Sequence, residues 1–165
     1  MIGQKTLVLS ILATTLSALA LNLPVASSPS STTGQLIKPG GDLSKCLEVA
    51  GADYENGVPV VINDCNRASL NQYWLVQPGE TKIQVANTGY CLDAGSSPQN
   101  GVGLKIWQCY DNLAAQDWVF TGDHSIALNH QSQCVDLTNG NFTNGNQVQT
   151  WDCTTNNHNQ YWNLE

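Results

Sequence analysis

Cys65, Cys109 and Cys153 stand 44 residues apart, and so do Gln72, Gln116 and Gln160 with their partners Trp74, Trp118 and Trp162. Each of these cysteines is preceded by another, 18 or 19 residues earlier: Cys46, Cys91 or Cys134, followed by an apolar residue and an acid. A period of this length, held three times over most of a chain, means one supersecondary unit used three times. Each unit is too small to bury its own apolar face, so the three must share one core. The units run over about 34–77, 78–121 and 122–165.

Within each unit the pattern is all-β, and no stretch from Gly34 to Glu165 has helical period. Asn56-Gly57, Asn100-Gly101 and Asn144-Gly145 recur at matching places, and Asn-Gly is a strong hairpin signal because both residues tolerate positive φ. Val58–Ile62, Val102–Trp107 and Asn146–Trp151 follow as strand-like runs, and a further run carries each Gln-x-Trp. With Leu36-Ile37, Lys82–Ala86 and Ser125–Leu128 ahead of each first cysteine, there are four strands per unit. Twelve strands suit a barrel capped by hairpins with pseudo-threefold symmetry, its core built on Trp74, Trp118 and Trp162.

Six cysteines allow 15 pairings, and the repeat selects among them. Only Cys46–Cys65, Cys91–Cys109 and Cys134–Cys153 give every unit the same bond, each worth roughly 3 kcal/mol in the chain-entropy account. Zinc is not expected, since no pair has C-x-x-C spacing and no histidine keeps register with the cysteines. Residues 1–20 read as an export signal, with Lys5, an apolar Leu7–Leu19 and cleavage expected after Ala20. Ser and Thr dilute that stretch and Pro24 ends it, so membrane insertion is not expected and the protein is expected outside the cell. Residues 21–33 form a Ser/Pro/Thr-rich linker. The net charge of -7, with five basic residues left once Lys5 is removed, excludes a basic patch for nucleic acid or sulfated glycans and favours a neutral partner.

The triplicate Cys-Leu/Val-acid, Asn-Gly and Gln-x-Trp, with Trp-x-Cys in the second and third units, resembles the ricin B-chain type lectin domain, a β-trefoil, over roughly Gly34–Glu165. The resemblance implies a non-catalytic, cofactor-free protein with a shallow sugar site possible in each unit, most often for galactose or N-acetylgalactosamine. Its expected partners are glycans or glycoproteins. A sugar presents an apolar face to stack on an aromatic ring and a rim of hydroxyls for a carboxylate and amides. In the family pattern the acid follows the first cysteine by two, the aromatic precedes the second by two, and an Asn precedes the Gln of Gln-x-Trp.

By that pattern the third unit is complete: Asp136, Trp151, Asn159 and Gln160, with Gln149 on the same strand face as Trp151. The second keeps Asp93, Trp107 and Gln116 but has Ala115 for Asn159 and Lys105 for Gln149, and is expected to bind more weakly. The first has Glu48 and, for the aromatic, Asn63; although Asn71 and Gln72 remain, it is expected only to complete the barrel. The plainer alternatives are that Trp107 and Trp151 pack on their disulfides and that Asp93 and Asp136 are turn residues bonding backbone N–H groups.

Histidines 124, 130 and 158 fall at unrelated places in the repeat, and acids occur singly per unit, so no glycosidase carboxylate pair is expected. Asn141-Phe142-Thr143 is an N-glycosylation acceptor; a glycan there shades the third-unit site, or the sequon is unused. Two other functions fit the same fold: a trefoil gripping a protein, as a protease inhibitor or effector does, and a binding module whose catalytic partner is a separate chain.

Overall fold

The computed structural model describes residues 33–51 and 53–165. The expected signal peptide, and the 21–33 linker apart from Thr33, lie outside the described residues. The first unit contains β1 (Gln35–Pro39), β2 (Lys45–Val49), β3 (Val60–Asp64) and β4 (Tyr73–Leu75). The second contains β5 (Gly79–Thr81), β6 (Gln84–Val85), β7 (Tyr90–Asp93), β8 (Val102–Gly103), β9 (Lys105–Gln108) and β10 (Trp118–Phe120). The third contains β11 (Ile126–Leu128), β12 (Gln133–Asp136), β13 (Asn146–Gln147), β14 (Gln149–Asp152) and β15 (Trp162–Leu164). Fifteen segments less three breaks, at β5/β6, β8/β9 and β13/β14, leave the twelve strand positions expected.

The first and last strands of the units close a barrel. β1 pairs antiparallel with β4 and β15, β4 with β6, and β10 with both β5 and β11. The Trp162 amide donates to the His124 carbonyl at 2.8 Å and completes the circuit between β15 and β11. The remaining strands form hairpins, β2–β3, β7–β9 and β12–β14, each carrying one disulfide: Cys46–Cys65, Cys91–Cys109 and Cys134–Cys153.

Two of the strand breaks have a common cause. Leu104 and Val148 turn their backbone groups sideways into a ring that joins all three units: Val60 N–H donates to Leu104 C=O at 3.0 Å, Leu104 to Val148 at 2.8 Å, and Val148 to Val60 at 3.0 Å. Their side chains are fully buried, so an unpaired N–H there would cost about 1–3 kcal/mol. Around this ring each Asn-Gly turn reaches into the next unit, Gly57 N–H to Ile106 C=O, Gly101 to Thr150 and Gly145 to Ile62, at 2.8–2.9 Å. All three glycines have positive φ, 85–93°, which the turn requires and which other residues adopt only at a cost.

Trp74, Trp118 and Trp162 are fully buried in one apolar cluster with the branched residues of every unit. Each indole N–H is satisfied at 3.0 Å by a carbonyl of its own unit, of Leu47, Leu92 or Val135. The glutamine of each Gln-x-Trp does not lie on a strand, as the sequence pattern suggested. It ends a 3-10 turn, at Leu70–Gln72, Ala114–Gln116 or His158–Gln160, and the strand begins one or two residues later. The turn is needed because the glutamine amide must point back at the hairpin, a direction that a strand side chain beside a buried Trp cannot take.

Candidate functional site

In every unit the hairpin and the 3-10 turn are joined by that glutamine. Gln160 Oε1 accepts from the Thr154 amide at 3.0 Å, and its Nε2 donates both to Asp152 C=O at 3.0 Å and to Asp136 Oδ2 at 3.2 Å. Gln116 repeats this with Tyr110 N–H, Gln108 C=O and Asp93 Oδ2, each at 3.0 Å. Gln72 does so with Asn66, Asp64 and Glu48. These glutamines are 0–2% exposed, and Gln160 and Gln116 hold the acid of their hairpin in place.

In the third unit β12 and β14 bring Asp136 opposite Gln149 and Cys134 opposite Trp151. Asp136 is 3% exposed and its carboxylate is held by three side-chain amides: Gln149 at 2.9 Å on Oδ1, and Gln160 at 3.2 Å and Asn157 at 3.4 Å on Oδ2. Burial raises its pKa above the ordinary carboxylate value, and those three hydrogen bonds offset part of the rise. Trp151 is 41% exposed, among the most exposed large hydrophobic residues described. Asn159 lies half-buried against Gly140, whose positive φ and missing Cβ admit it: a Cβ there would come within 2.9 Å of Asn159 Oδ1. The extra 3-10 turn Thr138–Gly140 thus forms a wall of the site. Asp136 and the Gln149 amide meet, Trp151 stands two residues along β14 from Gln149, and Asn157 joins the acid unforeseen. Its Oδ1 accepts from Asn159 N–H at 3.1 Å while its Nδ2 reaches Asp136, so one side chain both caps the turn and holds the acid. An Asx residue just ahead of the turn was the available signal, since the same place holds Ser69 and Leu113 elsewhere.

The second unit has the same frame with different chemistry. Asp93, 4% exposed, faces Lys105 in register, and Lys105 Nζ lies 3.6 Å from Asp93 Oδ1. The same oxygen accepts from Gly95 N–H at 2.7 Å, so Asp93 is in part the turn residue of the plainer reading; Asp136 receives no backbone N–H. Trp107 is half-buried beside Gly57 of the neighbouring turn, and Ala115 offers only its carbonyl, to Ala94 N–H at 2.9 Å. In the first unit Asn63 accepts from Gly145 N–H at 2.9 Å, and Tyr54 O–H donates to Asn71 Oδ1 at 2.6 Å, so both candidate amides are engaged within the protein.

Asn141 is exposed, its Oδ1 accepting from Thr143 N–H and Oγ1–H at 2.9 and 2.7 Å. Among the described residues no group of His, Cys, Asp and Glu could hold a metal ion, and no helix is long and apolar enough to cross a membrane. The third-unit arrangement suits a small ring with one apolar face and hydroxyls on its rim, set flat on Trp151 with its edge at Asp136.

Comparison with solved structures returns the same fold at low sequence identity. The C-half of an earthworm R-type lectin, crystallised in complex with GalNAc, aligns at a TM-score of 0.67 and 19% identity, covering 81% of this chain and 98% of that one. A designed three-fold symmetric protein, ThreeFoil, aligns at 0.63 and 23%, covering 81% and 97%. The agglutinin from Abrus precatorius aligns at 0.63 and 24%, covering 81% of this chain and 48% of that one. A search of curated protein sequences finds no match. The model of the ricin-type beta-trefoil lectin domain matches residues 32–162, and with that span covered the chain belongs to this family.

Proposed function

We propose that the protein is an exported, non-catalytic lectin that binds single saccharide residues of the galactose or N-acetylgalactosamine type, chiefly in the third unit and more weakly in the second. One observation carries this reading: Asp136, nearly buried and held by three amides, stands beside an exposed Trp151. A carboxylate has about four acceptor sites, and the three amides leave one open. The longest bond, from Asn157 at 3.4 Å, yields to a ligand hydroxyl, so two adjacent hydroxyls bind one carboxylate. The galactose-type assignment draws on the family and on the GalNAc named with the earthworm lectin. Three disulfides in so small a domain support export to an oxidising compartment.

In the second unit the Lys105 ammonium occupies the place of Gln149 and competes for Asp93. Binding there is weak, and useful avidity arises only when both sites, or two molecules, engage one glycan-bearing surface.

A glycan array probed with the oxidised protein and with Asp136→Ala at equal concentration tests this. Terminal galactose or N-acetylgalactosamine signals that disappear in the variant are expected. A blank array from folded protein rejects the reading in favour of a protein partner.

A further inference from the structure

A groove of roughly 720 Å³ runs along the third unit next to the site just described: Asn157 and Gln160, which hold Asp136, line it from behind, while Asp136, Trp151 and Asn159 do not. From β11 and the residue before it come Ala127 and Ser125, from the loop after Cys153 come Thr155 and Asn156, and the Cys134–Cys153 disulfide lies between. The volume is in the range of ordinary small-ligand sites.

The other repeats show that this opening is particular to the third unit. Ser125 precedes Cys134 by nine residues, as Lys82 precedes Cys91, and Thr155 follows Cys153 by two, as Asp111 follows Cys109. In the second unit Lys82 and Asp111 reach across and form an ion pair at 2.6 Å. In the first the matching residues are Ile37, fully buried, and Arg67, which pairs with Glu165. In the third the two places hold short hydroxyl side chains, Ser125 and Thr155, with no hydrogen bond between them.

One end of the groove is a fixed aromatic pair. His124 and Tyr161 stack with centroids 4.6 Å apart and planes 19° from parallel. His124 has a left-handed backbone, φ 68°, held by its N–H on Thr121 C=O at 3.1 Å and its Nδ1 at 3.2 Å from Trp162 C=O. Tyr161 packs against Gly40 so closely that a Cβ there would lie 2.3 Å from its Cδ1.

The lining contains hydroxyls, amides, two imidazoles and one carboxylate, Asp123, which already accepts from the Thr121 hydroxyl; it includes no Lys or Arg. An anion finds no fixed cation there. A ring with hydroxyls on its rim and C–H groups on its face finds both partners: hydroxyls and amides for the rim, Ala127, the disulfide and the aromatic pair for the face. We propose that this groove is a further saccharide site, taking a neutral hexopyranose without contact to Asp136.

The test is a titration of the ¹⁵N-labelled oxidised protein with galactose, N-acetylgalactosamine, glucose and mannose, each alone, followed by amide NMR shifts. At least one of the four should move the Ser125, Ala127, Thr155 and Asn156 signals saturably, in wild type and in Asp136→Ala alike. The double variant Ser125→Lys, Thr155→Asp, which installs the second unit's ion pair, should weaken that binding at least about tenfold while leaving the Trp151 response intact. If this pair fails to fold, Thr155→Trp fills the groove from an exposed loop position and should give the same loss. Groove shifts that vanish in Asp136→Ala, that persist undiminished in the groove variants, or that none of the four sugars produces overturn the proposal. Failure of the Asp136 site is read separately, as unmoved Trp151 and Asn159 signals.

Discussion

Asp93 and Asp136 are both nearly buried carboxylates two residues after a cysteine, yet their partners differ in kind. Each accepts from the glutamine of its own unit, but the other partners of Asp136 are neutral amides, those of Asp93 a backbone N–H and a lysine. Burial lifts the Asp136 carboxyl above its ordinary 3.8, which makes the ionised form the costly one in the empty site. The sign follows: the unliganded fold gains stability as pH falls through the raised value and gives it up above. Sugar binding needs the ionised form, so affinity should fall with acidification at a midpoint above 3.8, followed by titration from about pH 7 to about pH 4. Trp151→Ala should abolish measurable binding with little change in melting temperature, since the ring is largely exposed. Asn159→Ala should cost about 1 kcal/mol, roughly fivefold in affinity by calorimetry. Asp136, Gln149, Trp151 and Asn159 were legible because each sits at a fixed distance from a cysteine or from Gln-x-Trp. Asn157 was not, because its contribution depends on a capped turn, and nothing periodic announces a cap.

The hairpin and the 3-10 turn are the working elements, and the second unit retains both. What it lacks is carried by three side chains on that frame, Lys105 on β9, Ala115 in the turn and Leu113 where the third unit has Asn157. Lys105→Gln with Leu113→Asn and Ala115→Asn should therefore raise calorimetric stoichiometry from one strong site to two; unchanged stoichiometry would mean that half-burial of Trp107 under the Gly57 turn is the real obstacle. Strands were legible from alternation and from the Asn-Gly turns, and the disulfide pairing from the repeat. The 3-10 turns were not, since three residues are too few for a period, and the breaks at Leu104 and Val148 were not, since both residues look like ordinary strand apolars. Their backbone partners are 44 or 88 residues away in the sequence, where no local pattern reaches.

Across the whole molecule, the three disulfides tie each hairpin to itself, while backbone and side-chain hydrogen bonds, the Glu165 ion pairs with Lys38 and Arg67, and the shared tryptophan core tie the units to one another. Replacing one cysteine pair by serine, for instance Cys91 and Cys109, should cost roughly 3 kcal/mol and lower the melting temperature without changing the transition from one step to several, by calorimetry. The ring through Val60, Leu104 and Val148 adds a sense of direction, because each residue donates to the next unit and accepts from the one before. A single unit taken alone therefore carries at least two unmet donors, at its ring residue and its Asn-Gly turn, and two unmet acceptors on the opposite flank. That is a head-to-tail interface whose rotation closes after three steps, so separate copies of one unit carry the instructions for a cyclic trimer, and a chain holding only two would leave a gap shaped for the third.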